Sequence, residues 1–279
     1  KIKSIGISDN YNLSGVLEFS ENLSSVGTQP IIGTQILFKF KNFIGLIPLI
    51  AKNIAGYKNI IELSSKSYLE NDDQNDPHCN FDDLITHNNG IIILSGSINS
   101  LVGNLFNKGL FDEINYIYNK LSENFRDNFY LEIQRHNDVG EKLFEKFLLN
   151  VAKKLELPII ATNEVYYLDK DMHEAHDAYL CIGEKTYVNV KERRKYSNHH
   201  YLKNSEEMYE LFKDLPDALT NNENFPLRIS YRPKNSSPIL PNIQTTKNKN
   251  VDELLVNESH SGLKEKLKEY VFEENKEDK

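Results

Sequence analysis

The pattern that most limits how this chain can fold is a repeated one: a short apolar run, a longer amphipathic segment, then another short apolar run. Apolar runs too short for a helix and bounded by turn residues fit strands. Apolar residues recurring every three to four positions fit helices with one buried face. Residues 2–7, 30–33, 43–50, 91–94, 129–134 and 158–161 read as strands. Leu13, Val16, Leu17 and Leu23 mark a first helix, and Tyr57, Ile60, Ile61, Leu63 and Tyr68 a second. Further helices are expected at 81–88, 98–107, 110–125, 139–155, 171–182 and 205–212, and the polar stretch 71–80 reads as a surface loop. Such alternation implies an α/β protein with a mostly parallel sheet covered by helices. Several units in series close most economically into a barrel.

Composition narrows the function classes. The 279 residues suffice for one large domain or two ordinary ones, and a hydrophobic content of 39% supports a real core. The longest apolar stretch, 43–51, is interrupted by Pro48 and is far too short to cross a bilayer, so no membrane association is expected. Cys79 and Cys181 make no disulfide framework and fit a reducing cytoplasm. A net charge of −8 argues against an independent grip on nucleic acid, and the basic cluster Lys191, Arg193, Arg194 and Lys195 reads as a solvated face.

In a parallel barrel, chemistry collects where strands end. The residues there are Ser8, Asp9 and Asn10; Thr34 and Gln35; Ser95, Gly96 and Ser97; Arg135 and His136; and Thr162, Asn163 and Glu164, leading to Tyr166. With a single imidazole, two carboxylates and no thiolate, the set is a thin inventory for a transition metal.

Several motifs run in a defined order through the chain. Ile5-Gly6-Ile7-Ser8-Asp9-Asn10-Tyr11-Asn12-Leu13-Ser14-Gly15 is similar to A-[IL]-T-D-H-G-N-L-x-G, and Pro30-Ile31-Ile32-Gly33-Thr34-Gln35 to P-I-I-G-C-E. Leu49-Ile50-Ala51-Lys52-Asn53 followed by Gly56-Tyr57-Lys58-Asn59 resembles L-L-A-K-N-x-x-G-Y-x-N. Tyr130-Leu131-Glu132-Ile133-Gln134-Arg135-His136, then 158–167, then Glu174-Ala175-His176-Asp177 and Pro238-Ile239-Leu240-Pro241 continue the series. This ordered set resembles the polymerase-and-histidinol-phosphatase (PHP) domain found in catalytic alpha subunits of bacterial DNA polymerase III.

The resemblance implies a distorted, TIM-like (β/α)7 barrel at 1–228, a linker at 229–250, and the start of a palm domain at 251–279. It also implies a place in DNA replication, with the remaining palm and thumb as partners, a proofreading exonuclease subunit as a further one, and DNA reached through the parent polymerase, whose cofactor is Mg²⁺. Active relatives hold up to three metal ions at the barrel mouth, where a metal-bound hydroxide attacks a phosphoester.

Carried over position by position, those ligands are mostly replaced. The first, an H-x-H motif, is expected before Lys1. The histidine of T-D-H is Asn10, the glutamate of G-C-E is Gln35, and a further histidine is Leu46. A cysteine is Ser97, the aspartate of N-D-V-H is Glu164, and its histidine is Tyr166. Only Glu164 keeps a coordinating group, so no catalytic, cofactor-binding or metal residues are expected here. The rival expectation is an active metal-dependent phosphoesterase or 3′–5′ exonuclease rebuilt from Asp9, His136, Glu164 and the unseen motif.

Simpler roles are also at hand. Asp9 reads as the cap of the following helix, and His136 as a hydrogen-bonded structural residue. His173 and His176 are too close in sequence for a zinc helix of the H-E-x-x-H kind. His199 and His200 read as solvated.

Overall fold

The computed structural model describes residues 2–71, 76–239 and 250–270. Two compact units divide at Lys234 and Asn235. The first carries seven strands, β1 (Ser4–Asn10), β2 (Gln29–Phe40), β3 (Phe43–Ala51), β4 (His78–Asn80), β5 (Ile91–Leu94), β6 (Phe129–Ile133) and β7 (Ile159–Ala161). Its helices are α1 (Val16–Ser25), α2 (Ile54–Leu69), α3 (Phe81–Thr86), α4 (Leu101–Asn107), α5 (Phe111–Phe125), α6 (Glu141–Leu155), α7 (His173–Gly183), α8 (Ser205–Phe212) and α9 (Pro216–Asn224). In the second, α10 (Val251–Tyr270) is a helix whose described side chains are almost all exposed.

The α/β class stands: a mixed sheet curls into a half-barrel, consistent with the distorted (β/α) barrel expected. Strand order is β1-β2-β3-β5-β6-β7. Pairing is parallel for β1–β2, β5–β6 and β6–β7, and antiparallel where β3 meets β2 and β5. The antiparallel part has a local cause. β2 and β3 are joined by a hairpin at Lys41 and Asn42, with Lys41 in the left-handed region (φ 53), and no helix separates the two runs. β2 is long enough to pair β1 along residues 29–35 and β4 along 37–39. The second pairing draws His78–Asn80 out of the expected loop.

Strand parity divides the core. Ile47, Leu49, Ala51, Ile91, Ile93, Phe129, Leu131, Ile133 and Ala161 pack in the larger cluster, with apolar residues of α2 to α6, α8 and α9. The alternate residues Ile31, Ile50, Ile92, Leu94, Tyr130 and Ile160 form a smaller cluster with Phe225 and Ile229. Burial on both faces explains why these strands read as unbroken apolar runs. It also puts Glu132, Gln134 and Thr162 on the face of Tyr130 and Ile160, since side chains alternate along a strand.

One family-like motif has a direct structural reason. The Asn53 side chain caps α2 by accepting the Gly56 N–H at 3.0 Å, and Asn59 donates to Asn89 O at 2.8 Å. A Cβ on Gly56 would fall 1.8 Å from Gly90 O, so only glycine lets α2 approach the turn before β5. At the far edge, Asn222 of α9 pairs with β7 like another strand. Its Oδ1 accepts Ala161 N–H (3.1 Å) and its Nδ2 donates to Ala161 O (2.7 Å), while Asn221 Nδ2 donates to Ile159 O (2.7 Å). Side-chain amides thus blunt an edge otherwise open to pairing with other chains.

Residues 229–234, expected to begin a linker, instead pack on the first unit. Ile229 is buried, Ser230 N–H donates to Lys52 O at 2.8 Å, and Ser20 Oγ donates to Pro233 O at 2.7 Å. Leu240 and Pro241 of the P-I-L-P motif lie outside the described residues.

Candidate functional site

Residues at the strand ends sort into two groups. Around β1 and β2 they serve the backbone. Thr34 Oγ1 donates to Asp9 O (2.7 Å) and Asn12 O (3.0 Å). Asn12 Oδ1 accepts the Ser14 N–H and its Nδ2 donates to Asn10 O. Asp9 does not cap α1, as its sequence position suggested. It lies within β1, and the N-cap position belongs to Gly15. Ser97 Oγ accepts the Asn99 N–H at 3.2 Å, and Leu46 sits within β3.

Around β6 and β7 the residues converge. Glu132 is 5% exposed, accepts from Thr162 Oγ1 (2.5 Å) and Gln134 Nε2 (3.1 Å), and leaves Oε2 buried without a partner. Burial pushes its carboxyl up to about 7, against the stabilising bonds from Thr162 and Gln134. Next to it, Arg135 joins three elements. It forms paired bonds to Glu145 of α6 (2.5 and 2.9 Å) and to Asp214 after α8 (2.6 and 2.8 Å), and donates to Leu211 O. The Asp214 and Glu145 carboxylates hold the guanidinium in its charged form, and Arg135 in turn lowers Asp214. Arg135 is therefore tied into the scaffold.

His136 is 1% exposed. Its backbone N–H donates to both oxygens of Glu141 (2.9 and 2.8 Å), its Nε2 lies 3.1 Å from Asn163 Oδ1, and the Glu164 backbone N–H donates to that same ring nitrogen at 3.2 Å. Its Nδ1 has no hydrogen-bond partner. The ring stacks on that of His200 at 4.1 Å, with planes 7° apart. His200, expected in solvent, is fully buried, because the 196–204 segment folds over the strand ends. Tyr166 N–H donates to His200 O, and Ser197 Oγ donates to His136 O. His200 Nδ1 lies 3.1 Å from Glu164 O, and its Nε2 lies 3.3 Å from Asp138 Oδ2. Lys203 is also buried, donating to Asn163 Oδ1 (2.8 Å) and to His199 O, and burial lowers its pKa. Tyr166 packs on Tyr196, His200 and His176, and burial together with nearby Glu164 raises its hydroxyl pKa.

The basic cluster is not a uniformly solvated face. The Arg193 side chain is 3% exposed and clamps Asp177 at 2.5 and 2.6 Å, while Arg194 pairs with Glu184. The His173 ring bonds Tyr196 O at 3.0 Å.

The PHP family model matches residues 1–136. DNA polymerase III subunit alpha of Caulobacter vibrioides is 34% identical across 96% of the chain, and that of Rickettsia bellii is 35% identical across 96%. The Vibrio cholerae counterpart is 33% identical across the same share. The chain belongs to the PHP domain family of DNA polymerase III alpha subunits. It spans about a quarter of the length of these relatives, 23–24% among them. A solved protein from Bifidobacterium adolescentis, provisionally described as a metal-dependent phosphoesterase, overlaps 58% of this chain and 76% of its own, at 10% identity and a TM-score of 0.39.

The PHP family implies a metal cluster at the mouth, and the residues present do not fit one. Asn10, Gln35, Leu46, Ser97 and Tyr166 offer amides, an alkyl group, a hydroxyl and a phenol held protonated by burial. The reduced set Asp9, His136 and Glu164 is not assembled either. Among the described residues, the group whose donor atoms come within reach of one ion is His136, Asp138 and His200. Sequence reasoning singled out His136 but missed its partners. The only available signal was a carboxylate two residues after a strand-end histidine.

No helix among the described residues is long and apolar enough to cross a membrane.

Proposed function

We propose that this PHP domain acts as a structural and interaction element of a replicative DNA polymerase in the cytoplasm, without a metal cluster at the family's mouth positions. The replacement of those ligands by neutral groups, with Ser97 Oγ accepting a backbone N–H, is the observation that carries this reading. A multi-metal phosphoesterase needs several deprotonated donors around its ions. Polymerisation chemistry, with Mg²⁺, is assigned to the three quarters of the relatives that this chain does not span. Its partners are then the palm and thumb, with the proofreading exonuclease subunit as a further one and DNA contacted through the assembled polymerase.

Primer extension tests the assignment. The 279-residue chain with Mg²⁺ and nucleotides is expected to give no incorporation, and incorporation would refute it. A phosphoesterase assay tests the mouth. Turnover of a phosphoester that falls in an Asp9→Asn, Glu164→Gln double variant would overturn the scaffold role.

A further inference from the structure

We propose that His136, Asp138 and His200 form a mononuclear site for a divalent transition metal of the zinc class, separate from the family positions at the mouth and tying the 196–204 segment to the end of β6. The donor atoms of these three residues lie within 4.8 Å of one another. Two imidazoles and a carboxylate are a donor set suited to zinc, with a fourth position left for water. Asn137, between the first two, adopts a left-handed conformation (φ 60), and an Asp138 carboxylate oxygen comes within 4.8 Å of a ring nitrogen of His136.

Two hydrogen-bond facts point to a cation. Glu164 O can only accept, so His200 Nδ1 is the donor in their 3.1 Å contact. In the neutral ring, Nε2 then carries a lone pair, and it faces a carboxylate oxygen of Asp138 at 3.3 Å. Acceptor facing acceptor in a buried place is unfavourable unless a proton or a metal ion stands between them.

His136 supplies the second fact. Its Nδ1 is buried and unpartnered in a residue 1% exposed. Asn163 Oδ1 is fixed as an acceptor by Lys203 Nζ, while the amide nitrogen bonds Tyr201 O at 2.9 Å. His136 Nε2 lies between the Asn163 oxygen, at 3.1 Å, and the Glu164 N–H, which donates to it at 3.2 Å, so an ion at Nδ1 requires the tautomer whose proton sits on Nε2 toward Asn163. Asn163 is the outer partner that supports that tautomer of His136, and Glu164 O holds the proton of His200 on Nδ1. Glu141, with one oxygen 3.4 Å from Nδ1, adds negative charge, and Lys203 opposes it. Since the two rings lie within 7° of parallel, closing on one ion requires one of them to tilt.

The experiment uses the 279-residue chain stripped with a chelator and titrated with Zn²⁺ and, for its visible spectrum, Co²⁺. One equivalent is expected to bind, and Co²⁺ to show the ligand-field bands of a low-coordinate nitrogen and oxygen site. His200→Gln and Asp138→Asn should each weaken binding by more than the roughly 10–100-fold typical of outer-partner losses, whereas Glu164→Gln should leave it within about threefold. Should a variant fail to fold, ¹⁵N spectra of the unmodified chain decide. Zn²⁺ must shift His136 Nδ1 and His200 Nε2 and leave the other histidines in place. Absence of saturable binding overturns the proposal, as does binding that survives both variants. Loss in Glu164→Gln with retention in Asp138→Asn also overturns it and places the ion at the mouth. Spectra in which His136 Nδ1 responds only to pH, as a proton shared with Glu141, reduce the cluster to a hydrogen-bonded pair and overturn it too.

Discussion

Replacing Glu132 by glutamine removes a buried carboxylate raised to about 7, and the effect should appear as a change in how stability depends on pH. The folded value exceeds the unfolded one, taken as 4.5. Stability is therefore fully present below about 4.5 and is lost as pH rises through about 7, because the unfolded chain ionises more readily. A shift of this size corresponds to about 3 kcal/mol in full, most of it falling between roughly pH 5 and pH 8.5. Glutamine keeps an oxygen for Thr162 and Gln134 but adds N–H groups where Oε2 has no partner, which imposes a cost independent of pH. That cost cancels when the two proteins are compared at two pH values. Urea unfolding followed by circular dichroism should show the Glu132→Gln chain gaining about 2–3 kcal/mol on its parent as pH rises over that range. Parallel pH profiles, within about 0.5 kcal/mol, would refute the reasoning, since Glu132 would then ionise as easily folded as unfolded.

Other perturbations test the packing. Gly56→Ala should destabilise by more than about 3 kcal/mol in thermal melts, because its Cβ meets Gly90 O at 1.8 Å and neither backbone can retreat; a loss below about 1 kcal/mol would contradict the close approach. Asn222→Ala removes two bonds to Ala161, for about 2 kcal/mol, and exposes the β7 edge, so light scattering should rise on heating. Unchanged scattering and stability would show that the edge needs no cover. Arg135→Lys loses the forked contacts to Glu145 and Asp214 and should cost about 1–2 kcal/mol by urea unfolding, with Asp214, the more exposed acid, giving the smaller share; an unchanged midpoint would refute this.

Local chemistry made much of the protein legible in the sequence. The unbroken apolar runs of β5, β6 and β7 announced strands buried on both faces, and α5 and α6 announced themselves by their apolar faces. The ordered motifs pointed to the family, and the side chains standing at its ligand positions could be read residue by residue. The antiparallel turn of β3 was hidden, because an apolar run states burial but not direction. Helix α9 was also hidden: more than half its sequence, Thr220-Asn221-Asn222-Glu223-Asn224, is polar, and two of those amides serve β7 rather than solvent. The pairing of His136 with His200 was out of reach for a related reason. Sixty-four positions separate them in sequence, and their contact exists only because the 196–204 segment folds over the strand ends. Sequence by itself determined which segments are buried and which ligands are absent, since burial and donor chemistry belong to individual residues. Only the tertiary structure decided which polar groups share a site, since that depends on long-range contacts and on solvent exclusion that no local pattern encodes.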